Sequence, residues 1–173
     1  MVSRKHIKMN NKITIIVAIL ILSVCFCMSG CGVDEIDITG YGDSEIVLSG
    51  IEKDDISITV ADLKNMDCKS VKTESTSDKI GVVKATGPEL DTVLAPYGVS
   101  MADFKIVIFK GTDQYDVKLL NDYITEHDIY LAFGIDGEPL DEESIPCRVI
   151  IPKSDSAYWI RMVNRIEFEK MTK

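Results

Sequence analysis

Side chains that carry metal or nucleophilic chemistry are scarce in this sequence. It holds five cysteines and two histidines, and beyond residue 31 only Cys68, Cys147 and His127 remain. None of the three stands at a metal-ligand spacing from another, which excludes the common Cys/His zinc patterns. His127, in Thr125-Glu126-His127-Asp128, has no second ligand nearby and reads as a surface residue. Ser75, Thr76 and Ser77 form a polar run. There is no Gly-x-Ser-x-Gly elbow, however, and the one histidine is not expected to reach them, so nucleophilic catalysis is not indicated. Basic charge is scarce as well. Past residue 30, fifteen Lys and Arg face twenty-eight Asp and Glu, a net charge of −13. That excludes nucleic acid as a partner, and anionic lipid headgroups would repel such a domain. The acids are too many and too unpatterned to mark an acid–base pair, and they suit an exposed, soluble surface. The 143 residues after position 30 suffice for one core but not for two ordinary domains, and there is no internal repeat.

What is present begins at the N-terminus. Arg4, Lys5, His6, Lys8 and Lys12 occur without an acid, and 13–28 carries no charge, the pattern of an export signal. The apolar run is shorter than the roughly 20 residues that span a bilayer. It ends in Met28-Ser29-Gly30-Cys31, where small residues precede a cysteine. This resembles the substrates of the bacterial lipoprotein signal peptidase. The resemblance implies cleavage before Cys31, acylation of that cysteine, and a protein held at the outer face of the bacterial cytoplasmic membrane, with an uncleaved anchor as the alternative. Each buried CH₂ contributes about 0.8 kcal/mol, so several acyl chains tether stably. Cys25 and Cys27 lack a preceding Gly or Ala and read as apolar filler. The expected organisation is a signal peptide over 1–30, a flexible tether over 31–44, and one domain over 45–173. In that compartment Cys68 and Cys147 allow a single disulfide or two buried thiols, and both readings stand.

Within the domain, β-prone segments are expected at 45–48 and 56–60. Thr59 and Asp62 then have capping-box spacing for a short helix over 60–65. Segments 69–74 and 81–84 have β character and flank a polar loop at 75–78. Thr86-Gly87-Pro88-Glu89 offers a cap, a first-turn proline and a box partner for a helix with Leu90, Val93, Leu94 and Tyr97 on one face and Gly98 at its end. Strands follow at 104–109, 115–119, 129–135, 148–151 and 160–168, with an Asp136-Gly137 turn. The fold class is α+β, strand-rich, with two or three helices. Tyr158-Trp159 reads as core before it reads as pocket lining.

In this order the segments resemble the molybdopterin-binding domain of the sulfite oxidase family. Ile58-Thr59-Val60-Ala61-Asp62-Leu63 is similar to the family's "T-x-x-D-L" helix, and Gly87-Pro88-Glu89-Leu90 through Gly98 to its "G-x-x-L-x-x-x-L-x-x-x-G" helix. Asp113-Gln114-Tyr115 stands for Asp-Gly-Tyr. Leu131-Ala132 with Asp136-Gly137-Glu138-Pro139-Leu140 stands for "A-x-x-x-N-G-x-P-L". Ile145-Pro146-Cys147-Arg148-Val149-Ile150-Ile151-Pro152 resembles "A-P-L-R-L-V-V-P", and 161–167 the closing "K-W-x-x-x-I-E".

The resemblance implies a sulfite-oxidase-like fold, and the departures bear on function. Family enzymes hold molybdenum through a cysteine after the third strand, a soft anionic sulfur that suits the metal. The corresponding Thr73-Glu74-Ser75-Thr76-Ser77 contains none, and Cys68 falls several residues early. The histidine-bearing cofactor loop is replaced by Asp141-Glu142-Glu143-Ser144, whose acids repel a phosphate. Arg148 and Arg161 do match positions that in the family hold the pterin and its phosphate, work suited to a planar guanidinium. In so acidic a domain the ordinary reading of both is a salt bridge. The expectation is therefore a non-catalytic module without a cofactor or metal, binding a small anionic ligand or an envelope protein partner. The alternatives are a molybdopterin-dependent oxidoreductase using Cys68 or an oxygen ligand, and a structural subunit of an envelope complex.

Overall fold

The computed structural model describes residues 33, 35–77 and 80–171. The expected signal peptide and the lipidation position Cys31 lie outside the described residues. Among the described residues there are eleven strands and three α-helices. In chain order they are β1 (Glu45–Ser49), β2 (Ile56–Thr59), α1 (Val60–Lys64), β3 (Cys68–Thr73), β4 (Val83–Pro88) and α2 (Leu90–Leu94). Then come β5 (Phe104–Gly111), β6 (Asp116–Leu120), α3 (Asn121–Glu126), β7 (Tyr130–Ala132), β8 (Gly134–Ile135), β9 (Glu138–Pro139), β10 (Arg148–Ile150) and β11 (Val163–Lys170).

Alternation builds the larger sheet. Ile46 and Leu48 on β1, and Ile166 and Phe168 on β11, are buried, while the residues that alternate with them are only partly buried or exposed. The sheet runs β2-β1-β11-β5-β6, with β1 and β11 parallel and the other pairs antiparallel. Phe104 and Phe168 meet across it with ring centroids 4.8 Å apart. A second sheet runs β3-β4-β8-β9, and β7 with β10 forms a ribbon. The expected α+β, strand-rich class holds.

The first helix forms where its cap predicts. Thr59 Oγ1 accepts from the Asp62 amide at 3.1 Å, and the Asp62 carboxylate accepts from the Thr59 amide at 2.8 Å. Thr59→Ala is expected to lower stability by about 1 kcal/mol, read as a fall in the unfolding midpoint in urea.

Two expectations are corrected. Thr86 does not cap a helix: 83–88 is strand, Thr86 is fully buried, and its hydroxyl lies 2.9 Å from Ser70 Oγ on β3. The helix starts at Leu90 with Glu89 as an N-cap whose side chain makes no cap bond, because Glu89 is instead engaged by Lys69 and Tyr130. The expected tether also departs from the structure. Ile36 is fully buried, and Lys64 Nζ donates to its carbonyl at 2.7 Å. Tyr41 Oη donates to the Phe133 carbonyl at 2.5 Å and accepts from the Leu140 amide at 3.1 Å. The packed unit thus begins ahead of Glu45, since Ile36 and Tyr41 find core positions beside β8 and β9 and the partly buried Ile38 packs against the same core.

Candidate functional site

The loop that follows β3 is fastened to the segment after β10. Thr73 Oγ1 accepts from the Lys153 amide at 3.2 Å, and the Thr76 amide donates to the Ser154 carbonyl at 2.9 Å. Ser75 Oγ donates to that same carbonyl at 3.2 Å, and Ser77 Oγ lies 2.6 Å from Ser156 Oγ. Ser154 is itself held from beneath. Its hydroxyl donates to the Ile151 carbonyl at 2.7 Å, and the buried Trp159 indole donates to that carbonyl at 2.8 Å and to Ser154 Oγ at 3.1 Å. Trp159 is therefore core, as its scarcity suggested, with its polar edge spent on bracing this turn.

Beside the loop opens a groove of about 700 Å³, lined by Val71, Thr73, Glu74, His127, Tyr130 and Lys153 among others. Ser75, Thr76 and Ser77 do not line it. His127 is stacked on Tyr123 with centroids 4.1 Å apart, and its Nδ1 lies 3.0 Å from the Tyr123 carbonyl. Tyr130 Oη donates to Glu89 Oε1 at 2.8 Å, where Lys69 Nζ also arrives at 2.6 Å. Burial first, and the adjoining carboxylate second, push the Tyr130 phenol well above its usual range, so it stays protonated as a donor.

Neither thiol reaches this groove. Cys68 Sγ donates to the Leu63 carbonyl at 3.2 Å at the end of α1, and Cys147 Sγ to the Val163 carbonyl at 3.3 Å. Both are free, so the disulfide reading is corrected: one cysteine opens β3 and the other precedes β10, and each is spent on a different carbonyl. Burial pushes Cys68 up to about 11, with the Asp67 charge adding to it, and burial pushes the enclosed Cys147 up to about 12. At neutral pH both are thiols rather than thiolates. The hydroxyls and carboxylate that follow β3 supply no soft anionic ligand, so this site does not fit the molybdenum half of the cofactor.

The arginines do come together. Burial lowers the pKa of Arg148, and the charge of Arg161 lowers it further, against an opposing contribution from Asp141. Arg161 Nη1 meets Glu143 at 3.2 Å, with side chains 49% and 81% exposed, a contact that water and salt screen heavily. The salt-bridge reading thus holds for Arg161. It fails for Arg148, whose Nε is buried without a hydrogen-bond partner. A buried donor left unmade carries a desolvation penalty that an arriving oxyanion removes. Arg148 opens β10, and the chain reaches the groove only at Pro152 and Lys153, four and five residues further along.

The family-like motifs mark the arginines but carry no sign of the fastened loop. Its one trace in the sequence is a pair of matching Ser-x-Ser triplets, Ser75-Thr76-Ser77 and Ser154-Asp155-Ser156. Among the described residues no cluster of His, Cys, Asp and Glu can hold a metal ion, and no helix is long and apolar enough to cross a membrane.

A family model described as the oxidoreductase molybdopterin binding domain matches residues 42–173. Among solved structures, the chain is similar to the crystal structure of the sulfane dehydrogenase SoxCD from Paracoccus pantotrophus, with a TM-score of 0.60 and 20% identity. That match covers 75% of this chain and 39% of the other, and at this identity the likeness is one of fold. No curated protein matches the sequence.

Proposed function

Since the chain belongs to the oxidoreductase molybdopterin binding domain family, we propose that it is a non-catalytic member, which binds a small anionic ligand through Arg148 and Arg161. The observation that carries this reading is the buried Arg148 Nε without a partner, set beside a second guanidinium whose own carboxylate partner is exposed and exchangeable. Two such forks grip a phosphate or carboxylate in bidentate fashion. In its Cys68 form the oxidoreductase alternative needs a thiolate at the groove, and burial displaces the pKa of Cys68 in the opposite direction; the form with an oxygen ligand is addressed by the molybdenum measurement below. Lipidation of Cys31 completes the proposal by placing the domain at the outer face of the bacterial cytoplasmic membrane.

Titration calorimetry with a pterin phosphate, and with inorganic phosphate, tests the arginines. The double variant Arg148→Ala, Arg161→Ala is expected to lose about 100-fold in affinity, the sum of two charge-assisted contacts. Unchanged affinity would overturn the reading. Equimolar molybdenum in protein matured in its own host would overturn the non-catalytic part. The anchor has its own test: a palmitate analogue should label the wild type and not Cys31→Ser.

A further inference from the structure

We infer that the hydroxyl ladder between residues 75–77 and 154–156 has displaced metal binding structurally, so that restoring a cysteine to the loop does not restore a metal site. The inference deepens the non-catalytic reading and rests on taking this loop as the family's ligand position. Thr73 and Glu74 line the groove, but the next residues leave it: Ser75 turns to the Ser154 carbonyl and Ser77 to Ser156 Oγ. The Thr76 amide fixes the backbone between them on the Ser154 carbonyl. A sulfur at 75 or 77 would inherit those directions and point at the ladder instead of the groove. The opposing rung cannot retreat, because Ser154 is 4% exposed and tied to Ile151 and Trp159. Lys153 presents that rung from a left-handed backbone, φ 60°, a conformation that residues with a Cβ seldom adopt unless their surroundings enforce it. A molybdenum centre needs a thiolate aimed into its cavity, and identity alone does not supply the aim.

The test has two arms. Ser75→Cys and Ser77→Cys are produced in a host that makes molybdenum cofactor. Metal is measured by mass spectrometry and pterin by the fluorescence of its oxidised form. The expected result is metal and pterin content equal to the wild type in both, and a rise in either folded variant overturns the inference. The second arm uses the unaltered chain and holds even if the variants fail to fold. Hydrogen exchange at the Thr76 amide should be slowed by about tenfold or more against an open loop, and Ser156→Ala should speed it. An unprotected Thr76 amide overturns the ladder. Loss of phosphate affinity in the arginine variants bears on the earlier reading alone, and metal uptake by a cysteine variant bears on this one alone.

Discussion

Gly87→Ala is expected to leave little folded protein. A Cβ at position 87 would stand 2.8 Å from the carbonyl carbon of Leu131 and 2.9 Å from Ala132 Cα, and nearer still to the Leu131 carbonyl oxygen. All three atoms are backbone of β7, so no side chain can swing aside. β4 is enclosed at this point, with Ala85, Thr86, Gly87 and Pro88 all buried, and β7 is itself hydrogen-bonded to β10. Moving β7 therefore disturbs both smaller sheets together. Overpacking of this kind belongs to the severe tail of single substitutions, about 4 kcal/mol or more, a large fraction of the stability of a domain this size. Circular dichroism and urea unfolding of the purified variant measure it. A midpoint close to wild type would mean that β4 and β7 do not approach as closely as described.

Ile36→Ala is the second large effect, and it falls in a segment whose sequence gives no hint of it. Ile36 is fully buried and fills the space above Gly134, where a Cβ would lie 2.7 Å from its Cγ1. Truncation should cost about 3 kcal/mol from lost burial and the cavity left behind. The two positions should also be coupled. Gly134→Ala collides with Ile36 in the wild type, and shortening Ile36 relieves part of that collision, so the double variant should be more stable than the sum of the singles predicts. Additive losses in urea unfolding would show that the two residues do not share one space.

Strands with one wet face were legible in the sequence because burial imposes alternation. β1 and β11 fall within a few residues of where the pattern puts them, β5 is marked instead by its continuous apolar run, and the Thr59–Asp62 box marks α1. Where tertiary pairing competes with a local signal, the local signal loses. Thr86 to Glu89 has the composition of a helix start, but the ladder with β3 and the contact with Leu131 hold it extended. The run 129–135 has no internal punctuation, yet the chain changes sheets at Phe133, whose amide donates to the Thr86 carbonyl at 2.9 Å. α3 was missed for lack of a start signal, since Leu120 at its N-cap offers no side-chain bond. At the site, Arg148 and Arg161 were readable from the closing motifs, whereas the ladder joins hydroxyls 79 positions apart and is invisible to any local pattern.

Tyr41 and Ile36 have a mechanical consequence. A load applied to the chain ahead of Ile36 is expected to fall on specific contacts of the packed unit. It arrives directly at the Lys64–Ile36 bond, then at the Ile36 side chain, and then at the Tyr41 hydroxyl that links Phe133 to Leu140. Lys64 ends α1, which continues directly from β2, so such a load is expected to reach the flank of the five-stranded sheet as well as the β8–β9 corner. A segment that reads as a spacer is thus fastened at two places, and a pull on it is expected to be shared between α1 and the turn that follows β7, the strand that carries Tyr130 into the groove.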